Sequence, residues 1–139
     1  MPVSIDVFQQ PNLIYLISTG VITDADSAVA FETYATHPNA QPGQNILNDM
    51  SALKESRIDY AKRMRLQSVM EPILSMGGGT RRYVMYAPNE RALALAENYI
   101  TFWQPVPQME LMLAKSEPEA LGLLGLDYMT FDALRADAR

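Results

Sequence analysis

The chain has 139 residues, 48% of them apolar and 19% charged, which is the length of one ordinary domain with enough apolar content to build a core and excludes disorder. A formal net charge of −5 weighs against general nucleic-acid binding. The absence of Cys removes disulfides, thiolate nucleophiles and zinc ribbons, and a single His leaves no basis for an imidazole triad or a His-rich metal site.

Val3, Ile5 and Val7 alternate with Ser4 and Asp6, the period of a strand with one buried face. Gln9-Gln10-Pro11-Asn12 reads as a turn, and residues 13–17 as a second strand, apolar on both faces and hence more central. So short a connection implies an antiparallel hairpin. Thr23-Asp24-Ala25-Asp26 is a capping-box start for a helix with Ala28, Phe31 and Ala35 on one stripe, ending at His37-Pro38. Asn45-Ile46-Leu47-Asn48 reads as a short third strand, with Asp49 at or just past its carboxyl end. Ser56-Arg57-Ile58-Asp59 repeats the capping signature and opens a helix running toward Met76, with Leu66, Val69, Met70 and Ile73 as its apolar stripe and Pro72 as a kink or restart. Gly77-Gly78-Gly79 stops that helix, and residues 83–87 form a fourth strand.

Asn89 is placed to cap a helix whose Ala92, Ala96, Tyr99 and Trp103 share a face. Met109, Leu111 and Leu113 alternate as a fifth strand, and Ser116-Glu117-Pro118-Glu119 caps a short helix that stops at Gly125. Residues 126–139 carry Tyr128, Met129, Phe131 and Leu134, enough to dock on a body formed by residues 1–125. After the hairpin, strand and helix alternate, so the economical solution is a mixed α/β sheet with right-handed βα units. No apolar run reaches the roughly 18 residues of a membrane span, and the opening residues have no basic, apolar leader, so a cytoplasmic location is expected.

This order of elements resembles the SpoIIAA-like fold shared by STAS domains and small bacterial STAS/SEC14-type proteins. The matching segments are Gly20-Val21-Ile22-Thr23, Ala35-Thr36-His37-Pro38, Asn45-Ile46-Leu47-Asn48-Asp49, the stretch from Arg81 through Tyr86-Ala87-Pro88-Asn89-Glu90, and Glu119-Ala120-Leu121-Gly122-Leu123-Leu124. In the anti-sigma-factor antagonists of this fold, a strand ends in Asp followed at once by a phosphorylatable Ser or Thr. Asp49 matches that Asp, but Met50 occupies the acceptor position and its thioether takes no phosphoryl group; Ser51, one residue later, is the remaining candidate phosphoacceptor. The resemblance implies a STAS-like binding or regulatory module, without catalysis or cofactor.

Ligands of open α/β sheets collect at the carboxyl ends of strands, so Asp49, Ser51 and Asn89 are the candidate binding residues, against the plainer reading that they satisfy loop amides. Residues 54–82 carry a local charge of +4, with Arg57 among them, leaving −9 elsewhere. A basic helix face there would suit an acidic partner or anionic head groups, although Asp59 four residues before Arg63 also reads as an ordinary helix pair on solvated surface. Gly77-Gly78-Gly79-Thr80 follows a helix and precedes a strand, the wrong order for a phosphate loop. His37 at a helix end complements the dipole and has no catalytic role. Nine Met, with Tyr86, Tyr99, Phe102 and Trp103, would suit a pocket for a small lipophilic ligand, or simply core. Pairing of Asp49 with Asp24 or Asp26 as acid and base has no supporting spacing. The expectation is therefore a non-enzymatic module for a protein partner or a small lipophilic ligand, with a phospho-switch at Ser51 or a carboxylate enzyme as alternatives and a homodimer open.

Overall fold

The computed structural model describes residues 2–74, 79–106 and 108–139, with the side chains of Ile73 and Leu74 left aside. The expected glycine stop at Gly77 and Gly78, the helix end at Met76 and the loop proline Pro107 lie outside the described residues. The elements are β1 (Val3–Phe8), β2 (Leu13–Thr23), α1 (Asp24–Ala35), β3 (Asn45–Arg57), α2 (Tyr60–Leu74), β4 (Arg81–Tyr86), α3 (Glu90–Trp103), β5 (Met109–Ala114), α4 (Glu117–Leu123) and α5 (Phe131–Asp137). The sheet order is β1-β2-β3-β4-β5, with β1 antiparallel to β2 and all other neighbours parallel.

Period-two alternation sorts the strands into two cores. Ile14, Ile46, Tyr83 and Met85 face one side, where they meet Phe31 and Tyr34 of α1, Met70 of α2 and Ala96, Tyr99 and Trp103 of α3. Leu13, Tyr15, Leu47 and Val84 face the other, against Leu121 and Leu124 of the α4 segment and Phe131 and Leu134 of α5. Since α1, α2 and α3 share a face while each step moves one strand along the sheet, their crossovers share one hand. The segment after Gly125 is not an idle tail: Thr130 caps α5, and Phe131 meets Tyr15 and Tyr86 edge-on at 5.9 and 5.0 Å.

Several expectations are corrected. The third strand does not end at Asn48, because β3 continues eight residues past Asp49 alongside a β2 that itself runs on to Thr23. Two bulges make this possible: Met50 and Ser51 stand opposite Ser18 alone, and Lys54 is extra beside Gly20, whose φ of +61° suits a residue without Cβ. Met50 and Leu53, both buried, anchor the extension. Ser56 and Arg57 accordingly belong to β3, and Asp59 caps α2 by accepting from the Lys62 amide at 3.0 Å. On α1 the buried stripe is Ser27, Phe31 and Tyr34, with Ala28 and Ala35 exposed. On α2 it is Arg63, Gln67 and Met70, while Val69 is 75% exposed. Arg63 makes no ion pair with Asp59; it turns inward. The helix assignment passes through Pro72 without a restart. His37 Nδ1 accepts from the Asn39 amide at 3.0 Å, closing the turn after α1.

The caps at Thr23, Asn89 and Ser116 are as expected, and Thr23 and Asp26 form the reciprocal capping box.

Candidate functional site

Three of the four residues singled out in the sequence come together. Asp49 sits where β3 parts from β4, paired with Tyr86, the last residue of that strand. Its Oδ1 accepts from the Ser51 amide at 3.0 Å and from the Ser51 hydroxyl at 2.7 Å, taking up an N–H that the bulge displaces from the ladder. Asn89 caps α3 through the Ala92 amide at 2.8 Å and donates from Nδ2 to the Ser51 carbonyl at 3.2 Å. All three thus hold the β3 bulge and the start of α3. Arg57 stands apart, six residues beyond Ser51 on β3, in an exposed ion pair with Glu55 at 3.1 Å. Asp24 follows Thr23, which pairs with Arg57, whereas Asp49 pairs with Ile17, so the two carboxylates lie about 20 Å apart along the strands. Asp24 is occupied instead with the Asp59 amide. The positive stretch is not one surface either: Arg63 and Arg81 point into the interior.

Both arginines line a cavity to which none of the four residues singled out in the sequence belongs. Between the sheet and α1 and α3 lies a cavity of about 80 Å³, with a mostly apolar wall that includes Ile14, Ile46, Phe31 and Tyr34. Its half-buried side, nearest solvent, is Val3, Ile5, Leu16 and Ala30. Its polar wall begins with a chain in which the Ser18 hydroxyl donates to Asn48 Oδ1 at 2.8 Å and Asn48 Nδ2 donates to the Tyr83 hydroxyl at 3.0 Å. Burial pushes the Tyr83 phenol up to about 12, against the opposing influence of the Asn48 hydrogen bond and the Arg63 charge.

Arg63, 6% exposed, is held by Gln67 Oε1 at 2.7 Å and Ser27 Oγ at 3.1 Å, and its guanidinium lies over the rings of Phe31, Phe102 and Trp103 at 5.2, 5.5 and 5.2 Å. Gln67 in turn donates to the Phe102 carbonyl at 2.7 Å, so this polar group fastens α2 to both neighbours. Burial pulls the Arg63 guanidinium below its usual value, with Tyr83, Tyr99 and Asp24 opposing. Arg81, only 3% exposed, also lines the cavity; its Nη1 and Nη2 are buried and find no hydrogen-bond partner among the described residues. The ion pairs among the described residues, Arg57–Glu55, Arg82–Glu110 and Arg135–Asp132, lie at the surface and involve neither buried arginine.

Alternation places Asp49 and the cavity on opposite sides of the sheet. Asn48 and Met50 face the cavity side, whereas Leu47 and Asp49 face α4 and α5. The available signal was Arg81-x-Tyr83-x-Met85, an arginine in line with the apolar face of a central strand. Among the described residues no group of three or more His, Asp or Glu is placed to hold a metal ion, and no helix is long and apolar enough to cross a membrane.

No family model matches the chain, and no curated protein matches it. Among solved structures, it is similar to an uncharacterized protein of the DUF3478 family with a SpoIIAA-like fold from Shewanella loihica PV-4, at 15% identity and a TM-score of 0.54, over 88% of this chain and 91% of that one. At this distance the likeness establishes the fold: a mixed α/β sheet, a β-hairpin followed by β-α units, SpoIIAA-like.

Proposed function

We propose that this chain is a non-catalytic, cytoplasmic binding module whose ligand is a small molecule with an apolar body, seated between the sheet and α1 and α3. The observation that supports the reading is the cavity itself, a void with a mostly apolar wall where close packing would otherwise leave little room. Pockets of this kind, apolar with a few convergent polar groups, are the usual form of small-molecule sites. The volume is about half that of an engineered cavity of roughly 150 Å³ that takes up benzene, so the ligand is small, of about three to six non-hydrogen atoms. Asp49, Ser51 and Asn89 keep a supporting part, holding the β3 bulge on the far side of the strand that supplies Asn48. Their hydrogen bonds do not favour a switch at Ser51, where a phosphate would crowd the Asp49 carboxylate with like charge.

The test is native mass spectrometry of the purified protein, followed by extraction and identification of any bound small molecule, alongside the cavity-filling variant Ala30→Leu. A bound small molecule retained by the parent and absent from the folded variant is the expected result. A parent whose cavity-lining methyl resonances respond to no small apolar probe, charged or neutral, would overturn the reading.

A further inference from the structure

Resting on that cavity as the binding site, we infer that its ligand is a short aliphatic monocarboxylate, its carboxylate received by Arg81 and its alkyl end by the apolar wall. Arg81 lines the cavity, and its two terminal nitrogens are buried with no acceptor among the described residues meeting them. A charged donor left unmatched in the interior is costly, and natural folds seldom keep one unless something else satisfies it. The guanidinium fork fits a carboxylate bidentately, and such charge-assisted pairs are the strong ones.

The rest of the site agrees with an anion. Arg63 adds a second positive charge on the same cavity, and its stacking on three aromatic rings fixes where that charge sits. No Asp or Glu lines the cavity, so an entering carboxylate meets attraction without like charge in the wall. Asp24 bears on Arg63 electrostatically, but its oxygens are engaged with the Asp59 amide. The Trp103 indole lies on the same wall, its ring centroid 5.3 Å from that of Tyr83. The apolar remainder selects against a fully hydrated anion: inorganic phosphate would set polar oxygens against Ile14, Ile46 and Phe31. The volume limits the alkyl part to a few carbons.

The experiment titrates the whole protein with sodium butyrate, with the neutral isostere butyramide and with inorganic phosphate. Calorimetry reads affinity, and methyl NMR of Ile14 and Ile46 reads location. The expected result is butyrate binding at least tenfold tighter than butyramide and tighter than phosphate, with shifts at both isoleucines. Arg81→Met should abolish the butyrate preference and leave butyramide unchanged. Arg81→Lys, which keeps the charge and loses the fork, should fall between, and it serves if the Met variant does not fold. Equal binding of butyrate and butyramide would overturn the carboxylate while leaving the cavity reading intact. Tighter binding of phosphate would overturn the alkyl part. Silence at Ile14 and Ile46 with all three probes would remove both readings.

Discussion

Replacing Arg81 by Met should make the ligand-free protein more stable. The Met side chain keeps most of the aliphatic stem of Arg81 while removing the guanidinium, whose Nη1 and Nη2 are buried without partners. A buried donor left unsatisfied costs about 1–3 kcal/mol, and more when charged. Exchanging buried charged groups for apolar ones of similar volume is often neutral or stabilising by about 1–4 kcal/mol. Against this stands the loss of whatever packing the planar group contributes, so the net expectation is a gain of about 1–3 kcal/mol. For a chain of this length that is a rise in Tm of roughly 3–10 °C. Urea denaturation followed by circular dichroism, in a zwitterionic buffer freed of small carboxylates and phosphate, measures it directly, and an unchanged m-value certifies that the unfolded state is the same. Destabilisation by more than about 1 kcal/mol under those conditions would show that Arg81 is a satisfied structural group, and the argument for an anion at this site would lose its foundation. A recognition group retained at a cost to the empty fold is a trade of stability for function.

Phe131→Ala should destabilise by about 3–4 kcal/mol, because Phe131 is 3% exposed and wedged between Tyr15 and Tyr86; a loss below 1 kcal/mol by urea titration would mean that α5 is not integral to the second core. Asn48→Ala leaves the Ser18 and Tyr83 hydroxyls without their shared partner and should cost about 2–3 kcal/mol in the same assay. Arg57→Ala, which breaks only an exposed pair with Glu55, should change stability by less than about 0.5 kcal/mol. Alkaline pH offers a spectroscopic test: burial raises the Tyr83 phenol from 10.0 to about 12, so its stabilising contribution is complete below pH 10 and declines as the pH rises from 10 through 12. Tyrosinate absorbance should therefore appear later in the native protein than in urea, and Tyr83→Phe should flatten the alkaline fall in stability.

The helix starts were legible in the chain because caps are local chemistry. Thr23 with Asp26, Asn89 and Ser116 each satisfy an amide three residues away, and no distant contact is needed to specify that. The fold class was legible for a related reason: a hairpin-length first connection followed by alternating strands and helices leaves few sheet topologies. The extent of β3 was not legible. Residues 51–57 are mostly polar and look like a loop, and they become strand only because β2 lies alongside and two bulges keep Met50 and Leu53 pointing into the core. Reading Ser56 as the cap of α2, with Asp59 as the true one, is the same error carried downstream.

Only the tertiary structure could decide which residues share a face. Asp49 and Asn48 are neighbours in the chain, yet the pleat sends them to opposite sides of the sheet, one into the bulge and one into the cavity wall. On α2 apolar periodicity found Met70 and Leu66, which meet the core, but not the polar pair Arg63 and Gln67 buried beside them; the partners that make these viable, Ser27, Phe102 and Trp103, come from two other helices. Local hydrogen bonding and period-two patterning are written in adjacent residues, and they determined the elements and their order. Whether a buried arginine is matched depends on side chains brought from far along the chain, and for Arg81 the folded arrangement leaves both terminal nitrogens buried beside a cavity with no partner among the described residues.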